Sequence, residues 1–390
     1  MKISNRLLNI LGDGSDGWDI FRKAADMVRD GIDVTQLTIG EHDIRTDQRI
    51  LDAMHQATLE GHTGYAAIPG IFELRQAVAE RVQAQTGEKT TYANVLITPG
   101  GQSALFAAHI AACNPGDRAM YIDPYYATYP GTIRGASAVP VPVKARAEAG
   151  FQPDAADLAA QAKNATSLLI NSPNNPTGVV YSRDTLEGIA TLCQTHDLWL
   201  ISDEVYDTQI WQGRHITPRS LEGMRERTLV VGSMSKSHAM TGSRIGWLIG
   251  PEEVVAHLMN LSTHTTYGVA GFVQQAALSA LKLGIGFEQE IAQPFRRRRE
   301  IAIRCIEQSN VVGMIPPQGA MYMMLDIRNT GMSGDEFANA LLEKHHIAVM
   351  PGESFGDAAA GHLRVALTVD DQRLEQALKT LVRFAEENTR

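Results

Sequence analysis

A lysine follows an apolar run of the chain in a setting that suits nucleophilic chemistry. Lys236 stands between Ser235 and Ser237, just after TLVVG, and Arg244 follows eight residues later. A lysine partly removed from water has a lowered pKa and can attack an aldehyde to form an imine. A surface lysine is the alternative interpretation, so the neighbouring motifs have to decide between the two.

Acid and amide groups follow two other apolar runs. LWLIS leads into Asp203 and Tyr206, and SLLI leads into NSPNNPTG with Asn171, Asn174 and Asn175. An acid at the end of a strand lies where α/β sheets bind ligands, and a buried carboxylate needs a cationic partner. Side-chain amides there can donate to a ring oxygen, although Asp203 could instead cap a helix and Asn-Pro often marks a simple turn.

A glycine pair completes the pattern. Gly100 and Gly101 separate the run VLIT from a helical segment, so their backbone N–H groups could hold a phosphate at the helix start. Each motif alone is weak, but their order along the chain is a phosphate turn, an amide, an acid and then a lysine with an arginine. Together they predict a site for a phosphorylated aldehyde with a basic ring nitrogen, and pyridoxal phosphate fits that description.

A second glycine motif points elsewhere. Gly12, Gly14 and Gly17 match the GxGxxG fingerprint of dinucleotide-binding folds, which would suggest a nicotinamide-dependent dehydrogenase. However, Asp13 and Asp16 lie inside the loop, where a pyrophosphate needs uncharged backbone donors. We therefore interpret the segment as an amino-terminal turn.

The elements that must position these residues alternate in type. Apolar runs without polar alternation begin near residues 95, 119, 167, 198, 228 and 244, and helical segments such as 103–113 and 182–197 lie between them. This alternation is typical of a parallel α/β sheet covered on both faces. Beyond about residue 285 the pattern changes to a smaller α+β unit. We expect an amino-terminal segment over 1–45 that packs with the small unit, a large unit over 46–287, and the small unit over 288–390.

Composition narrows the class of protein. The 390 residues are 44% hydrophobic and 20% charged, and 35 basic against 44 acidic residues leave a net charge of −9. Such a chain repels nucleic acid and anionic lipid, so the run Arg296 to Arg299 is expected to be a solvated helix face. Three cysteines without a CxxC pair suit the cytoplasm, and we expect no signal peptide, membrane span or metal site.

Several motifs carry a family resemblance. SMSKSHAMTGSRIGW resembles the SxSKxxxxxGxRxGW signature of class I/II aminotransferases, which are fold-type I pyridoxal-phosphate enzymes. NSPNNPTG, SDEVY, GYAAIPGIFELR, PGESFG and HLR resemble other motifs of that family, in its order and over essentially the whole chain. The resemblance implies a mostly parallel central sheet with helices on both faces, and a smaller α+β domain.

The resemblance also implies roles for the cofactor-site residues. Lys236 would bind the cofactor aldehyde and shuttle a proton, Asp203 would pair with the ring nitrogen, and Tyr206 and Asn175 would address the phenolic oxygen. The phosphate would be held by Gly101, Gln102, Ser233 and Arg244.

Further roles concern the ring and the substrate. Tyr126 would stack on the ring, with Tyr125 as the alternative, and Tyr65 would reach the phosphate of a neighbouring subunit in a homodimer. Arg364 would clamp the substrate α-carboxylate, and the Gly40 backbone would approach it. The segment after Gly40 reads Glu-His-Asp, where the family usually has Glu/Asp-Pro-Asp.

The implied reaction moves an amino group from an amino acid to a 2-oxo acid in two half-reactions. An α,β-lyase on the same residues and a non-catalytic amino-acid sensor are the alternatives. Parts of the sequence also resemble members that use arginine as amino donor, for which Asp19, Glu41 or Asp43 could supply an acid at the pocket mouth. Aspartate, aromatic and small neutral donors remain open.

Overall fold

The computed structural model describes residues 1–12 and 17–389. Its strands β1 to β12 span Thr35–Leu37, Val95–Thr98, Arg118–Asp123, Val139–Lys144, Ala165–Asn171, Trp199–Asp203, Thr228–Ser233, Gly246–Ile249, Gly313–Ile315, Tyr322–Asp326, Ile347–Pro351 and His362–Ala366. Its helices α1 to α14 span Asn5–Leu8, Asp19–Arg29, Gln48–Leu59, Phe72–Thr86, Gly101–Ala112, Tyr129–Gly135, Ala155–Ala162, Arg183–Thr195, Met234–Ser237, Glu252–Thr263, Gly271–Leu281, Gly284–Ile306, Gly334–His345 and Asp371–Glu387.

The large sheet has seven strands in the order β2-β8-β7-β6-β5-β3-β4. Strands β4, β3, β5, β6 and β7 run parallel, and β8 is antiparallel to both of its neighbours. The six predicted apolar runs all fall on strands of this sheet, which confirms the predicted α/β class.

Both faces of the large sheet are covered by helices. In β5, Leu168 and Ile170 belong to the core that includes Leu158 of α7 and Ile189 of α8. Leu169, between them, belongs to the opposite core with residues of α5 and α6. Because successive side chains of a strand point to opposite faces, a strand covered on both sides must be apolar throughout.

A second sheet has five strands in the order β1-β11-β12-β10-β9. Strand β1 lies near the amino terminus and runs parallel to β11, with Thr35 opposite Ile347. Residues 35–37 of the amino-terminal segment therefore pair with a strand of the carboxyl-terminal part of the chain. Helix α12 runs through the boundary predicted near residues 285–290, and the three domain ranges stay predictions.

Two local features differ from the sequence interpretation. The sequence analysis did not predict strand β4, whose sequence is VPVPVK, because proline lacks the backbone N–H group that bonds to a neighbouring strand. However, β4 lies at the edge of the sheet, where proline is tolerated. Only half of the arginine run is a solvated face, since Arg296 and Arg297 are exposed whereas Arg298 and Arg299 are buried. Arg298 donates from Nη1 to Asp43 Oδ1 at 2.9 Å and from Nε to Asp371 Oδ1 at 3.3 Å, so the run ties α12 to two other segments.

The amino-terminal glycine motif follows a helix. Residues 5–8 form α1, whereas the dinucleotide fingerprint requires a central strand before the loop. Gly14, Asp13 and Asp16 lie outside the described residues. Within residues 1–12 and 17–389, no helix has the length and apolar character needed to cross a membrane.

Close packing at Gly246 in β8 gives a stability prediction. A Cβ there would lie 2.6 Å from the Gly232 carbonyl oxygen and 3.0 Å from the Gly101 nitrogen, both backbone atoms. We expect Gly246→Ala to lower the free energy of unfolding by about 1–3 kcal/mol through overpacking. Gly188→Ala is the matched control, because Gly188 lies exposed in α8 with no neighbour within 4 Å of its Cβ position. It should raise stability by about 0.5–1 kcal/mol. Urea unfolding measures the free energy of unfolding of both variants. If Gly246→Ala and Gly188→Ala changed it equally, the close packing at Gly246 would not explain the effect.

Candidate active site

Polar residues end three adjacent parallel strands of the large sheet. Asn171, Asp203 and Ser233 are the last residues of β5, β6 and β7. Asn171 lies directly opposite Asp203 in the ladder, so the strand ends are level with each other. Gly101 begins α5 beside them. The carboxyl edge of a parallel sheet is where α/β proteins bind ligands, and the register places these groups there.

A cavity of about 300 Å³ opens at this edge. Its lining includes all but one of the predicted site residues, namely Gly40, Gly101, Gln102, Tyr126, Asn175, Asp203, Tyr206, Ser233, Lys236, Arg244 and Arg364. Tyr126 lines this cavity, whereas Tyr125 lines a neighbouring one. Tyr65 lies elsewhere, 93% exposed and edge-on to Tyr267.

Lys236 lies on the short helix α9, at the bottom of the cavity. The Ser233 hydroxyl caps this helix by accepting from the Ser235 amide at 3.1 Å. The Lys236 amine donates to the Gly40 carbonyl. Burial lowers the pKa of Lys236 to about 8, Arg364 and Arg244 lower it too, and only Glu41 opposes them. At pH 7 roughly a tenth of the amine is therefore unprotonated, a far larger share than in an ordinary lysine.

Asp203 is buried with a hydroxyl partner rather than a cation. Its Oδ2 accepts from the Tyr129 hydroxyl at 2.7 Å, and its Oδ1 accepts from the Val205 amide at 3.3 Å. Burial raises the pKa of Asp203 to about 6, while the Tyr129 hydrogen bond acts in the opposite direction. Sequence reasoning missed Tyr129, although it follows Tyr126 by three residues.

The glycine turn lies directly against Arg244 at the edge of the cavity. Gly100 has a φ of 78°, and a Cβ on it would lie 2.4 Å from the Arg244 Nη2 atom. Arg244 itself has a φ of 48° and donates from Nη1 to the Thr241 carbonyl at 3.0 Å. Only glycine lets the guanidinium approach the start of α5 this closely.

Arg364 is held between two aromatic rings on the other side of the cavity. Its guanidinium carbon lies 4.5 Å from the Tyr322 ring centre and 4.3 Å from that of Phe355. Its Nη1 donates to Asn175 Oδ1 at 2.9 Å, its Nη2 donates to the Thr38 carbonyl, and the buried Nε has no hydrogen-bond partner. Its guanidinium forms no ion pair with a carboxylate of the described residues, and its N–H groups suit an anionic ligand.

Tyr322 is a further cavity residue that sequence reasoning missed. Its hydroxyl lies 3.0 Å from the Tyr206 hydroxyl. A Cβ on Gly40 would fall 1.8 Å from the same Tyr322 oxygen, so glycine is required there. No motif marked Tyr322, because it lies within an ordinary apolar strand, β10.

The three candidate acids at the pocket mouth differ in position. Asp19 is exposed and pairs with Arg22, and both carboxylate oxygens of Asp43 accept from Arg298. Glu41 lines the cavity and accepts from the Thr241 hydroxyl at 3.0 Å.

Comparison with known proteins decides the family. The family model for aminotransferases of class I and II matches residues 32–381. The chain belongs to this family. This result confirms the predicted family and the predicted aminotransferase activity.

Named relatives of this aminotransferase cover nearly its whole length. Arginine–pyruvate transaminase AruH of Pseudomonas aeruginosa is 39% identical over 99% of both chains. The aspartate/prephenate aminotransferase of Thermus thermophilus is 35% identical over 93% of both. The solved structure of Thermus thermophilus aspartate aminotransferase with maleate superposes with a TM-score of 0.92 at 33% identity, covering 98% of this chain and 100% of that one.

Burial of Asp203 predicts a pH-dependent stability. Because its pKa lies at about 6 in the folded chain and at its ordinary 3.8 in the unfolded one, the folded state binds more protons between these values. The free energy of unfolding therefore falls as pH rises from 4 to 6. The cofactor-free Asp203→Asn aminotransferase lacks this penalty and should be more stable than the wild type at pH 7, by about 3 kcal/mol.

Urea unfolding at pH 4 and pH 7 measures the difference between the two proteins. The gap should close near pH 4. Asp30→Asn, at an exposed carboxylate after α2, serves as the control and should leave stability nearly unchanged at both pH values. If the stability difference between Asp203→Asn and the wild type were the same at both pH values, the raised pKa of Asp203 would be contradicted.

Proposed function

We propose that the chain uses pyridoxal phosphate to move an amino group from an L-amino acid to a 2-oxo acid. The convergence of Lys236, Asp203, Arg244 and Arg364 on one cavity supports this most strongly. These four side chains match the four functional parts of the cofactor and substrate, namely the aldehyde, the ring nitrogen, the phosphate and the α-carboxylate.

The polar groups of the cavity fit this cofactor. Asp203 takes part in none of the ion pairs among the described residues, and its carboxylate suits a protonated ring nitrogen, which would lower its pKa again. The start of α5 at Gly101 offers backbone donors to a phosphate, opposite Arg244, and the Ser233 hydroxyl and Gln102 backbone lie beside it. Tyr126 would stack on the ring, and Asn175 and Tyr206 would reach its phenolic oxygen.

The lysine carries the proton transfers. When bound, pyridoxal phosphate supplies an aldehyde that combines with amines and a ring that takes up the electron pair left by a departing α-proton. Lys236 Nζ, unprotonated in part because its pKa is about 8, removes the α-proton and returns a proton at a neighbouring carbon. The Gly40 carbonyl accepts from this amine and holds it at the cavity wall.

Arginine and glycine orient the substrate. Arg364 would bind the α-carboxylate through its fork, and the rings of Tyr322 and Phe355 hold the guanidinium in place. Gly40 lines the same cavity, so its backbone could contact the same carboxylate. Once the 2-oxo acid product leaves, a second 2-oxo acid occupies the same positions and Lys236 moves the protons in reverse.

We propose arginine as amino donor and pyruvate as acceptor, on the basis of the relative that is 39% identical and named for them. The relatives named for aspartate and prephenate are 35% identical or less. A donor panel with pyruvate and with 2-oxoglutarate tests this choice.

We also propose a homodimer in the cytoplasm. Tyr65 and Tyr267 form an exposed aromatic pair outside the cavity, which a second subunit could cover. Tyr65 would then reach the phosphate in the partner's site. The three cysteines are unpaired, which suits a reducing compartment.

Replacing the lysine tests the proposed mechanism. Lys236→Ala should lower turnover by at least a thousandfold, because no other amine remains to move the α-proton. The variant should still bind pyridoxal phosphate noncovalently, as its absorbance after gel filtration will show. Borohydride should fix the cofactor to residue 236 in the wild type alone. Near-normal transamination by Lys236→Ala would overturn the proposal.

Mixing two impaired variants tests the shared site. We expect Tyr65→Ala to weaken cofactor retention and Lys236→Ala to abolish turnover, with each defect in a different half of the site. In a mixed dimer one site has both defects and the other has neither, so unfolding and refolding the two together should restore part of the activity.

Light scattering should give about twice the chain mass of 42.5 kDa. A fully active monomer would contradict the dimer.

A further inference from the structure

Tyr322 lies where the two halves of the proposed site meet. It belongs to β10 of the small sheet, whereas Tyr206 follows β6 of the large sheet, and both residues line the active-site cavity. Each of the two residues is only 3% exposed. The proposed function uses the ring of Tyr322 to hold Arg364, but it gives the Tyr322 hydroxyl no task.

The register of the small sheet fixes the ring of Tyr322 against Arg364. Tyr322 lies opposite Ala366 in the antiparallel pair of β10 and β12, and Arg364 comes two residues before Ala366. Side chains two residues apart in a strand share a face, so Tyr322 and Arg364 are diagonal neighbours within reach of each other. The attraction between a guanidinium and an aromatic face needs the ring alone. A phenylalanine at this position would therefore still hold Arg364.

The Tyr322 hydroxyl lies in a space that glycine leaves open. A Cβ on Gly40 would fall 1.8 Å from the hydroxyl oxygen, which lies 3.0 Å from the Tyr206 hydroxyl. The two rings are nearly perpendicular, with an angle of 81° between their planes. Because both tyrosines are buried, the hydrogen bond between them is shielded from water and is electrostatically stronger than one at the surface.

The direction of this hydrogen bond depends on what else Tyr206 binds. In the chain alone either hydroxyl can donate. Burial raises the pKa of Tyr206 well above its ordinary value, Tyr322 and Tyr126 raise it further, and Arg364 acts in the opposite direction, so Tyr206 keeps its proton. A hydroxyl has a single proton to donate. If Tyr206 donates this proton to a negatively charged phenolic oxygen, which is a stronger acceptor than a hydroxyl, Tyr206 can only accept from Tyr322.

We propose that Tyr322 is a positioning residue with two separable tasks: its ring holds Arg364 for the α-carboxylate, and its hydroxyl donates to Tyr206. The second task strengthens the hydrogen bond from Tyr206 to the phenolic oxygen of the cofactor, because hydrogen bonds in a chain polarise one another. This inference rests on the proposed function, which places the phenolic oxygen beside Tyr206. One side chain of the small sheet thus serves both the substrate and the cofactor.

Removing the hydroxyl alone tests the second task. Pyridoxal phosphate bound to Lys236 changes its visible absorbance when it loses a proton, and donation from Tyr206 favours the form with a negative phenolic oxygen. Tyr322→Phe should weaken that donation and move the absorbance titration of the holoenzyme to higher pH by about 0.3 units, or roughly twofold in the equilibrium. The KM of the best amino donor should stay within about twofold of the wild-type value, because the ring is retained.

Removing the ring as well tests the first task. Tyr322→Leu should displace the titration as Tyr322→Phe does, and it should also raise the KM of that donor by about tenfold, because Arg364 loses one of the two aromatic rings that hold it. The kcat should change less than the KM. Tyr322→Phe keeps nearly the volume of the side chain, so the first test stands even if Tyr322→Leu fails to fold.

A double-variant cycle shows whether the hydroxyl acts through Tyr206. In the Tyr206→Phe background, Tyr322→Phe should no longer move the titration, because the chain of hydrogen bonds is already interrupted. Tyr181→Phe is the matched control, since it removes a buried hydroxyl that has no hydrogen-bond partner among the described residues and that belongs to the core with Ile189 of α8. It should leave both the titration and the KM unchanged.

The possible failures are distinguishable. A wild type that retains no pyridoxal phosphate would overturn the proposed function. If the wild type transaminates, an unchanged titration in Tyr322→Phe, or an equal displacement in the Tyr206→Phe background, would overturn the task of the hydroxyl and leave the proposed function standing. A KM that rises equally in Tyr322→Phe and Tyr322→Leu would overturn the separation of the two tasks.

Discussion

Removal of the Lys236 amine from water is the constraint on which the site depends. The amine lies at the end of β7 on a helix of four residues, and burial together with Arg244 and Arg364 lowers its pKa. The fixed charges of Arg244 and Arg364 repel a protonated Lys236 unless anions lie nearby, and the chain supplies few anions at this cavity. The cavity is therefore prepared for a phosphate and a carboxylate, which would restore the electrostatic balance when they bind.

The site is assembled between the two sheets rather than within either one. Lys236 and Asp203 come from strand ends of the large sheet, whereas Arg364 and Tyr322 come from β12 and β10 of the small sheet. The hydrogen bond from Arg364 to Asn175 joins the two units directly. Because Arg364 and Lys236, which we propose to bind the substrate and to move its proton, lie on different sheets, their separation depends on how these sheets pack against each other.

Two buried polar pairs extend the site beyond the predicted residues. The Tyr129 hydroxyl favours the charged form of Asp203, in opposition to burial, and the Tyr322 hydroxyl reaches Tyr206. Each pair satisfies a group that would otherwise be buried without a partner, and each orients a group that would face the cofactor. We expect Asp203 to destabilise the cofactor-free fold for the same reason that it would suit a cationic ring nitrogen, namely that its carboxylate is buried without a cation.

The sequence alone determined the fold class, the six apolar strands, and the positions of Lys236, Asp203, Asn175, Arg244 and Arg364. These are readable because apolar runs mark buried strands and because the motifs at their ends keep a fixed local spacing. The tertiary structure decided which side chains meet across long separations. It separated Glu41 from Asp19 and Asp43, buried Arg298, placed proline-rich β4 at an edge, and brought Tyr129 and Tyr322 into the cavity. Such outcomes depend on packing between distant segments, which leaves no periodic or local signal in the chain.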